Sequence, residues 1–182
     1  MLYEKEQALL EHYNKHPNGG TTIRDKQLLR IAFDLAGIQP EEGDLVLDLG
    51  CASGVMANNV SEMYKVNVVG VDSASSRIAI GKKDRPDIDY VCMDIHEFLD
   101  TTNLTFDYIM LFDTIEHMYK PEALIANAKE VLKEGGSIIS KTPLNFPYEA
   151  HLQVYETKAE FDEQLDPTRS IAYGQSVIAV WE

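Results

Sequence analysis

The stretch Asp44–Val60, DLVLDLGCASGVMANNV, decides the fold. It begins with the apolar run Leu45–Leu47, which is typical of a short strand buried on both faces. The turn Gly50–Gly54 follows, and the residues after this turn are predicted to form a helix. A strand, a glycine turn and a helix in this order bring bare backbone and a helix N-terminus close to a ligand. The stretch therefore predicts a ligand site at the end of a buried strand.

The spacing of the glycines argues against a dinucleotide cofactor. The dinucleotide fingerprint GxGxxG would place glycines at positions 50, 52 and 55, but this chain has Ala52 and Val55 at the last two. Asp48 stands two residues before the first glycine, and the pattern G-x-A-x-G suits a nucleoside that carries no pyrophosphate. A nicotinamide reductase is therefore the weaker interpretation.

From Asp44 onward the sequence alternates between strand patterns and helix patterns. Such alternation implies a parallel sheet with helices on both faces, which is a doubly wound, Rossmann-like α/β fold. Near the C-terminus, Gly174-Gln175 separates two apolar segments and predicts a hairpin, so the mostly parallel sheet would end in an antiparallel strand. The predicted strands are 45–49, 66–71, 89–92, 106–111, 137–141, 169–173 and 176–181. The predicted helices are 54–65, 75–83, 95–100, 121–133 (ended by the break Glu134-Gly135-Gly136) and 157–165.

A single domain is predicted for the 182 residues, with residues 1–40 forming an N-terminal helical cap and residues 44–182 the Rossmann-like core. Within the cap, 2–16 and 23–36 are predicted as helices. We expect the second helix to cover the sheet, whereas the first either covers the sheet or acts as a lid over the ligand.

Composition narrows the classes of partner. The formal net charge of −14 repels nucleic-acid backbones, so a small-molecule or glycan acceptor is favoured over nucleic acid. No apolar run approaches the ~20 residues of a membrane span. Cys51 and Cys92 fall in or beside predicted strands, and we expect two buried thiols in a reducing, cytoplasmic environment rather than a disulfide or a metal pair. The sequence does not determine the oligomeric state.

Four aspartates mark the ends of successive predicted strands. Because the carboxyl ends of parallel strands meet at one edge of the sheet, this edge is where open α/β sheets bind ligands. Each aspartate taken singly is explained as a turn residue or a helix N-cap. Four aspartates at the ends of four successive strands, the first of them followed by a glycine turn, are harder to explain by capping alone. The four residues are Asp48, Asp72, Asp94 and Asp113.

Together these features resemble the class I S-adenosylmethionine-dependent methyltransferases over approximately Asp44–Pro143. The first motif of that family reads roughly (D/E)xGxGxG, and Ala52 replaces its second glycine. The resemblance implies S-adenosylmethionine as the cofactor, with Asp72 binding the ribose hydroxyls and Asp94 and Ile95 contacting the adenine. The remaining residues implied to line the cofactor site are Asp48, Gly50, Cys51, Ala52, Gly54, Ser73, Phe112 and Asp113.

A second informative stretch, FDYIMLFDTIEHMYKP, contains Asp113, Glu116 and His117. If 113–117 forms one helical turn, these three side chains share a face. One interpretation is a capping box, with Asp113 as N-cap and Glu116 three residues later. In another, His117 is a general base, since its unperturbed pKa near 6.5 suits deprotonation of a hydroxyl, and Glu116 is the second candidate catalytic residue. In a third, these residues and His151 bind a divalent metal.

This DxxEH element is similar to the fourth motif of small-molecule O-, N- and C-methyltransferases. The ubiquinone-biosynthesis O-methyltransferases and the small-RNA 3′-terminal 2′-O-methyltransferases carry ExxEH here with a further histidine downstream. Asp113 replaces the first Glu of that pattern, and His151 is the downstream histidine. The resemblance therefore implies a candidate site for Mg²⁺, Mn²⁺ or Zn²⁺.

The sequence thus predicts an enzyme that transfers a methyl group from S-adenosylmethionine to a hydroxyl or amine of a small molecule or glycan. The lack of an NPPY- or DPPY-like motif argues against methylation of DNA base amines. Two alternatives stay open. One is 2′-O-methylation of an RNA 3′ end, which the net charge disfavours. The other is an inactive partner subunit that only binds the cofactor.

Overall fold

The computed structural model describes residue 11 and residues 26–182. The predicted helix 2–16 lies outside the described residues except for Glu11, which is helical, and the extent of the predicted cap stays a prediction. Helix α1, Lys26–Ala36, matches the described part of the second predicted helix. It buries an apolar stripe against the sheet, as predicted, formed by Leu28, Leu29, Ala32, Phe33 and Ala36.

Seven strands and five further helices follow α1 in the described chain. The strands are β1 Leu45–Leu49, β2 Asn67–Asp72, β3 Asp89–Cys92, β4 Phe106–Phe112, β5 Leu132–Pro143, β6 Arg169–Tyr173 and β7 Ser176–Trp181. The helices are α2 Val55–Tyr64, α3 Ser75–Asp84, α4 Ile95–Thr101, α5 Pro121–Glu130 and α6 Lys158–Leu165, and a 3₁₀ turn spans Ile115–His117.

The strands form one sheet in the order β3-β2-β1-β4-β5-β7-β6. Strands β1 to β5 are parallel, whereas β7 is antiparallel to both β5 and β6. The predicted mostly parallel α/β sheet with an antiparallel C-terminal strand is therefore confirmed. The predicted hairpin is present as well: Tyr173 pairs with Ser176 across Gly174-Gln175. Strand order reverses between β1 and β4, which is where an open sheet of this kind binds its ligand.

Each face of the sheet carries its own apolar core. Helices α1 and α2 cover one face, where they pack against side chains of the central strands such as Val46, Met110 and Ile139. Helices α4, α5 and α6 cover the other face, where Trp181 and Phe161 are among the largest buried side chains. Strands covered on both faces explain the near-continuous apolar runs in the sequence. Among the described helices, none is long and apolar enough to cross a membrane.

The boundary between α5 and β5 differs from the prediction. The helix ends at Glu130, and the strand begins at Leu132, so Gly135 and Gly136 lie inside the strand rather than at a helix end. Gly135 has a φ of 79°, and a Cβ at Gly136 would lie 2.6 Å from the carbonyl oxygen of Asp107. The glycines therefore serve an irregular strand pairing with a close backbone approach.

The two cysteines have different environments. Cys51 is buried and Cys92 is exposed, and both are free thiols. The expectation of two buried thiols is therefore right for Cys51 and wrong for Cys92. Because β3 is an edge strand, its last residue lacks a neighbouring strand on one side.

Candidate active site

The turn after β1 is built from residues in the left-handed region of backbone space. The φ angles are 78° at Gly50, 51° at Ala52 and 77° at Gly54. Glycine enters this region freely, whereas a residue with a Cβ does so at a cost of about 1–2 kcal/mol. The backbone N–H groups of Gly50 and Cys51 both donate to the carbonyl of Val71, at 2.8 and 3.1 Å. These bonds fix the turn against the end of β2.

Asp72, the last residue of β2, joins this turn to the start of α3. Its Oδ2 accepts a hydrogen bond from the Ala52 N–H at 2.9 Å, and its Oδ1 accepts one from the Ala74 N–H at 2.7 Å. Burial raises the pKa of Asp72, while the two hydrogen bonds and the nearby Arg77 act in the opposite direction. Each carboxylate oxygen has a second lone pair, so the group has capacity for further hydrogen bonds from a ligand.

The other predicted cofactor residues lie along the same edge of the sheet with different exposures. Asp48 is buried inside β1 and Phe112 is buried at the end of β4, whereas Ser73 and Asp94 are exposed and Ile95 is half-buried. Asp94 caps α4, since its Oδ1 accepts hydrogen bonds from the backbone N–H groups of the second and third residues after it. The simple capping role therefore applies to Asp94. A role in binding adenine stays a prediction.

Asp113 is separated from Glu116 and His117. Its φ is 53°, so it lies outside the 3₁₀ turn, and its Oδ1 is 2.5 Å from the ammonium nitrogen of Lys141. The predicted single helical turn over 113–117 is therefore wrong, and so is the capping box. Thr114 occupies the N-cap position, but its hydroxyl donates to the carbonyl of Leu49 at 2.8 Å.

The segment after β5 folds back over the sheet edge and carries His151 to His117. The backbone N–H groups of Leu152 and Gln153 both donate to the carbonyl of Glu116, at 2.8 and 3.0 Å. The two imidazole rings then meet edge to face, with 4.9 Å between their centroids. The convergence that a shared site would require is therefore present, although the two histidines are far apart in sequence.

Glu116, His117 and His151 form a compact cluster of potential metal ligands. One ligand atom from each residue lies within 4.8 Å of the other two, and Asp113 is not part of this group. The Nδ1 of His117 bonds the Ala150 carbonyl at 2.8 Å, and the Nδ1 of His151 bonds the Phe146 carbonyl at 2.8 Å. Because a carbonyl only accepts, both Nδ1 atoms carry a hydrogen, and each Nε2 keeps a lone pair when its imidazole is neutral.

Burial controls the charge state of the two histidines of the cluster. Glu116 is only 1% exposed. Burial lowers the pKa of His117 to about 4, and it lowers the pKa of His151 as well. Both imidazoles are therefore neutral near pH 7, which is the form that binds metal ions.

An exposed aromatic surface adjoins the cluster. Phe146 and Tyr148 are 56% and 45% exposed, and their rings stack at 6.5 Å with an interplanar angle of 19°. Both rings also contact His151, at centroid distances of 5.7 and 5.5 Å. The cluster therefore has an apolar rim on one side.

Three residues near the site were not singled out from the sequence. Thr114 links the 3₁₀ turn to β1, and Lys141 pairs with Asp113. Arg77 is buried in α3, and its charge acts on the pKa values of both Asp72 and His117. A polar residue at the end of a predicted strand was the available signal for Lys141. For Arg77 the sequence offered none, because its burial depends on packing.

Comparison with known families assigns the chain to a protein family. A family model described as a methyltransferase domain matches residues 22–168, which is most of the chain. The chain belongs to this methyltransferase family. The predicted class, the class I S-adenosylmethionine-dependent methyltransferases, is thereby confirmed, and S-adenosylmethionine is the cofactor of that class.

The chain is similar to a curated protein in sequence and to solved structures in fold. The ubiquinone biosynthesis O-methyltransferase of Coxiella burnetii (strain Dugway 5J108-111) is 30% identical over 140 residues, covering 75% of this chain and 58% of the relative. The chain thus spans little more than half the length of that methyltransferase. The DhpI–SAH complex has a TM-score of 0.72 at 14% identity, covering 97% of this chain and 94% of that one. Magnesium protoporphyrin IX methyltransferase from Synechocystis PCC 6803, with bound SAM, has a TM-score of 0.67 at 14% identity, covering 97% and 95%. At these identities the two structures show a shared fold.

The residues of this methyltransferase-family chain fit S-adenosylmethionine. The turn Gly50–Gly54 presents backbone without large side chains at the switch point of the sheet. Asp72 is fixed by two backbone N–H groups and retains acceptor capacity for a ribose. Asp48 adds a buried carboxyl group near the turn, and acidic surroundings suit a cofactor that carries a sulfonium and an ammonium.

Proposed function

We propose that the chain catalyses transfer of a methyl group from S-adenosylmethionine to a hydroxyl group of a small molecule or glycan. The observation that carries this proposal is the cluster of Glu116, His117 and His151 at the same sheet edge as the cofactor turn. When bound, the cofactor supplies an electrophilic methyl group. The chain must then align an acceptor oxygen with that group and remove its proton.

The donor set of the cluster fits a divalent metal ion. Two imidazole Nε2 atoms and one carboxylate would hold the ion, and three protein ligands leave positions open for an acceptor. Each imidazole donates its Nδ1–H to a backbone carbonyl, which is the usual second interaction of a metal-bound histidine. A divalent ion at this place would lower the pKa of an acceptor hydroxyl and orient its oxygen.

The alternative within the same reaction is a metal-free base. His117 would then accept the proton on Nε2 while Ala150 holds its Nδ1–H. A general base works best when its pKa lies near the operating pH. Burial lowers the pKa of His117 to about 4, well below neutral pH. A second imidazole placed beside it also has no task in this scheme. The low pKa of His117 and the presence of a second imidazole therefore favour a bound metal ion over a metal-free base.

The aromatic rim supports an acceptor with an apolar or planar part. Phe146 and Tyr148 offer their rings to solvent beside His151, so an acceptor that contacts them would place a hydroxyl near the cluster. Aromatic faces bind planar groups by stacking and apolar groups by surface burial. The pair therefore suits a small molecule better than a highly charged chain.

Metal removal tests the proposal directly. We expect a chelator to abolish transfer of labelled methyl from S-adenosylmethionine to fractions of a small-molecule extract, and Mg²⁺, Mn²⁺ or Zn²⁺ to restore it. His117→Ala and His151→Ala should each weaken metal binding, measured by calorimetry, by more than about tenfold. Their effects should be non-additive, because both residues serve one ion. His96→Ala, which changes a histidine outside the cluster, is the matched control and should bind metal normally.

Two results would contradict parts of the proposal. Chelator-resistant transfer that His117→Ala abolishes would assign His117 as a metal-free base. A purified protein that binds S-adenosylhomocysteine but methylates no fraction, with or without metal, would instead favour a partner subunit that only binds cofactor. The metal titration has its own calorimetric readout, so it does not depend on finding the acceptor.

A further inference from the structure

Two glycines lie inside regular elements, where glycine is unfavourable. Gly70 is in the middle of β2, and Gly81 is in the helix α3. Glycine at such positions destabilises a strand or helix relative to alanine, because it has more backbone freedom to lose. Neither glycine has a positive φ, so backbone conformation does not require either of them. What they have in common is a neighbour.

That neighbour is Tyr90 of β3. A Cβ at Gly81 would lie 2.7 Å from the Cζ of Tyr90. A Cβ at Gly70 would meet Cys51 first, at 2.9 Å from its Sγ, and would lie at an ordinary contact distance of 3.6 Å from the Tyr90 Cδ1. A third glycine, Gly54 of the cofactor turn, is closer still: a Cβ there would lie 2.0 Å from the Tyr90 hydroxyl. The Tyr90 side chain therefore lies in a three-glycine slot, which Gly54 and Gly81 bound closely and Gly70 bounds at ordinary contact distance.

The slot connects the sheet to the cofactor turn. Tyr90 pairs with Gly70, and Gly70 pairs with Asp48, so the three residues form a row across β3, β2 and β1. From this row the Tyr90 hydroxyl reaches the turn and donates to the carbonyl of Ser53 at 3.3 Å. Arg85 donates to the same carbonyl through Nη1 at 3.0 Å. Two side chains from the β3 side of the sheet thus hold one carbonyl of the turn.

We propose that Tyr90 is a positioning residue for the cofactor turn: its ring fills the three-glycine slot, and its hydroxyl holds the Ser53 carbonyl so that Gly50–Gly54 keeps its binding conformation. This inference rests on the proposed function only for the identity of the cofactor. Ala52, a residue with a Cβ, has a left-handed φ of 51°, and such a strained conformation persists only where its surroundings fix it. Tyr90 supplies part of that constraint without lying in the cofactor motif itself.

The hydroxyl of Tyr90 is a stable donor for this role. Burial raises the pKa of Tyr90 to about 12, and the nearby Cys51 and Asp48 contribute in the same direction. The group therefore stays protonated at neutral pH. Glycine is needed at position 81 on the helix side of the slot. A side chain there would displace the Tyr90 ring and break the hydrogen bond from its hydroxyl to the Ser53 carbonyl.

The first test separates the hydroxyl from the ring. We expect Tyr90→Phe to weaken S-adenosylhomocysteine binding, measured by calorimetry, about 3- to 10-fold, the range for one hydrogen bond. The melting temperature should change little, because the ring still fills the slot. Tyr108→Phe is the matched control, since Tyr108 is a half-buried tyrosine of β4 that packs against Phe33. It should leave the affinity unchanged.

The second test moves the ring through its neighbour. Gly81→Ala should weaken S-adenosylhomocysteine binding by about tenfold, because the new Cβ meets the Tyr90 ring. In a Tyr90→Leu background the contacted ring atoms are missing. There Gly81→Ala should change affinity less than about twofold and raise the melting temperature, since alanine favours a helix over glycine. A merely structural role for Tyr90 would make the melting temperature depend on the background but would leave the affinity independent of it.

The outcomes distinguish this inference from the proposed function. Wild-type protein that binds S-adenosylhomocysteine, with Tyr90→Phe and Gly81→Ala binding it equally well, would overturn the positioning role alone. Equal losses from Gly81→Ala in both backgrounds would also overturn it. Wild-type protein that does not bind S-adenosylhomocysteine would overturn the positioning role and the proposed function together.

Discussion

Ala52 holds a conformation that its two glycine neighbours in the turn adopt more easily. Its φ of 51° costs about 1–2 kcal/mol for a residue with a Cβ. Replacement by glycine removes that cost but adds about 0.5–1 kcal/mol of backbone entropy lost on folding. We therefore expect Ala52→Gly to raise the free energy of unfolding by between zero and about 1.5 kcal/mol. Urea denaturation measures this, and S-adenosylhomocysteine affinity should be retained.

Gly50→Val is the contrasting variant of the same turn. Gly50 has a φ of 78°, and a Cβ there would lie 2.7 Å from the Thr114 hydroxyl. We expect this variant to lose cofactor binding while keeping most of its helical circular dichroism signal. An Ala52→Gly variant that is destabilised by more than about 1 kcal/mol, or a Gly50→Val variant that binds normally, would contradict this account of the turn.

Single residues show where prediction from sequence stops. The position of Asp72 at the end of a strand was predictable, because strand ends follow from apolar patterns. The pairing of Asp113 with Lys141 was not predictable, since it depends on a φ of 53° at Asp113 that the residue types do not indicate. The sequence does contain a signal for Tyr90: Gly81 lies inside an otherwise regular helix, which indicates that a side chain packs closely against it.

At the scale of elements, the 3₁₀ turn is held from both sides. Thr114 attaches it to β1, and the backbone carbonyl of Glu116 attaches it to the segment after β5. We expect Thr114→Val to destabilise the fold by about 1–3 kcal/mol, because the buried Leu49 carbonyl loses its donor. Thr114→Ser keeps the hydroxyl and should cost only about 0.8 kcal/mol for one lost methyl group.

Urea denaturation of both variants checks this prediction. The order matters more than the values, because valine preserves the shape of threonine and serine preserves its hydroxyl. If Thr114→Ser proved the less stable of the two, packing of the methyl group rather than the hydrogen bond to Leu49 would hold the turn in place. The prediction that the Thr114 hydrogen bond holds the 3₁₀ turn would then be wrong.

Element boundaries were predicted less well than element order. The apolar alternation identified every strand of the described sheet, together with the final hairpin. The start of β5 was misplaced because Gly135-Gly136 resembles a helix stop, whereas it allows β5 to approach Asp107 closely. Local sequence does not distinguish these two uses of glycine. The partner strand decides between them.

At the scale of the whole molecule, net charge is the strongest constraint on partners. A formal charge of −14 opposes the phosphate backbone of RNA. Non-specific nucleic-acid binding usually has a Kd of about 10⁻⁴–10⁻⁶ M at physiological salt, and we expect this chain to bind labelled single-stranded RNA more weakly than that. Fluorescence anisotropy measures the affinity. Tighter binding that falls as salt rises would reopen methylation of an RNA 3′ end.

Chain topology was predictable from the sequence, but the composition of the candidate site was only partly so. Alternating elements determine that aspartates at strand ends share one edge. The approach of His151 to His117 needed a segment that folds back, and Glu116 provides its attachment point through a backbone carbonyl. Residue types alone do not specify such backbone contacts.

That attachment has a consequence for how the protein can change. The segment carrying Phe146 and Tyr148 is held through main-chain atoms: two N–H groups donate to the Glu116 carbonyl, and the Asn145 N–H donates to the Tyr155 carbonyl at 2.7 Å. Main-chain bonds do not depend on which side chains the segment carries. Positions 146 and 148 are therefore free to diversify while the scaffold beneath them stays in register, which makes them the natural place to build a library for new acceptors.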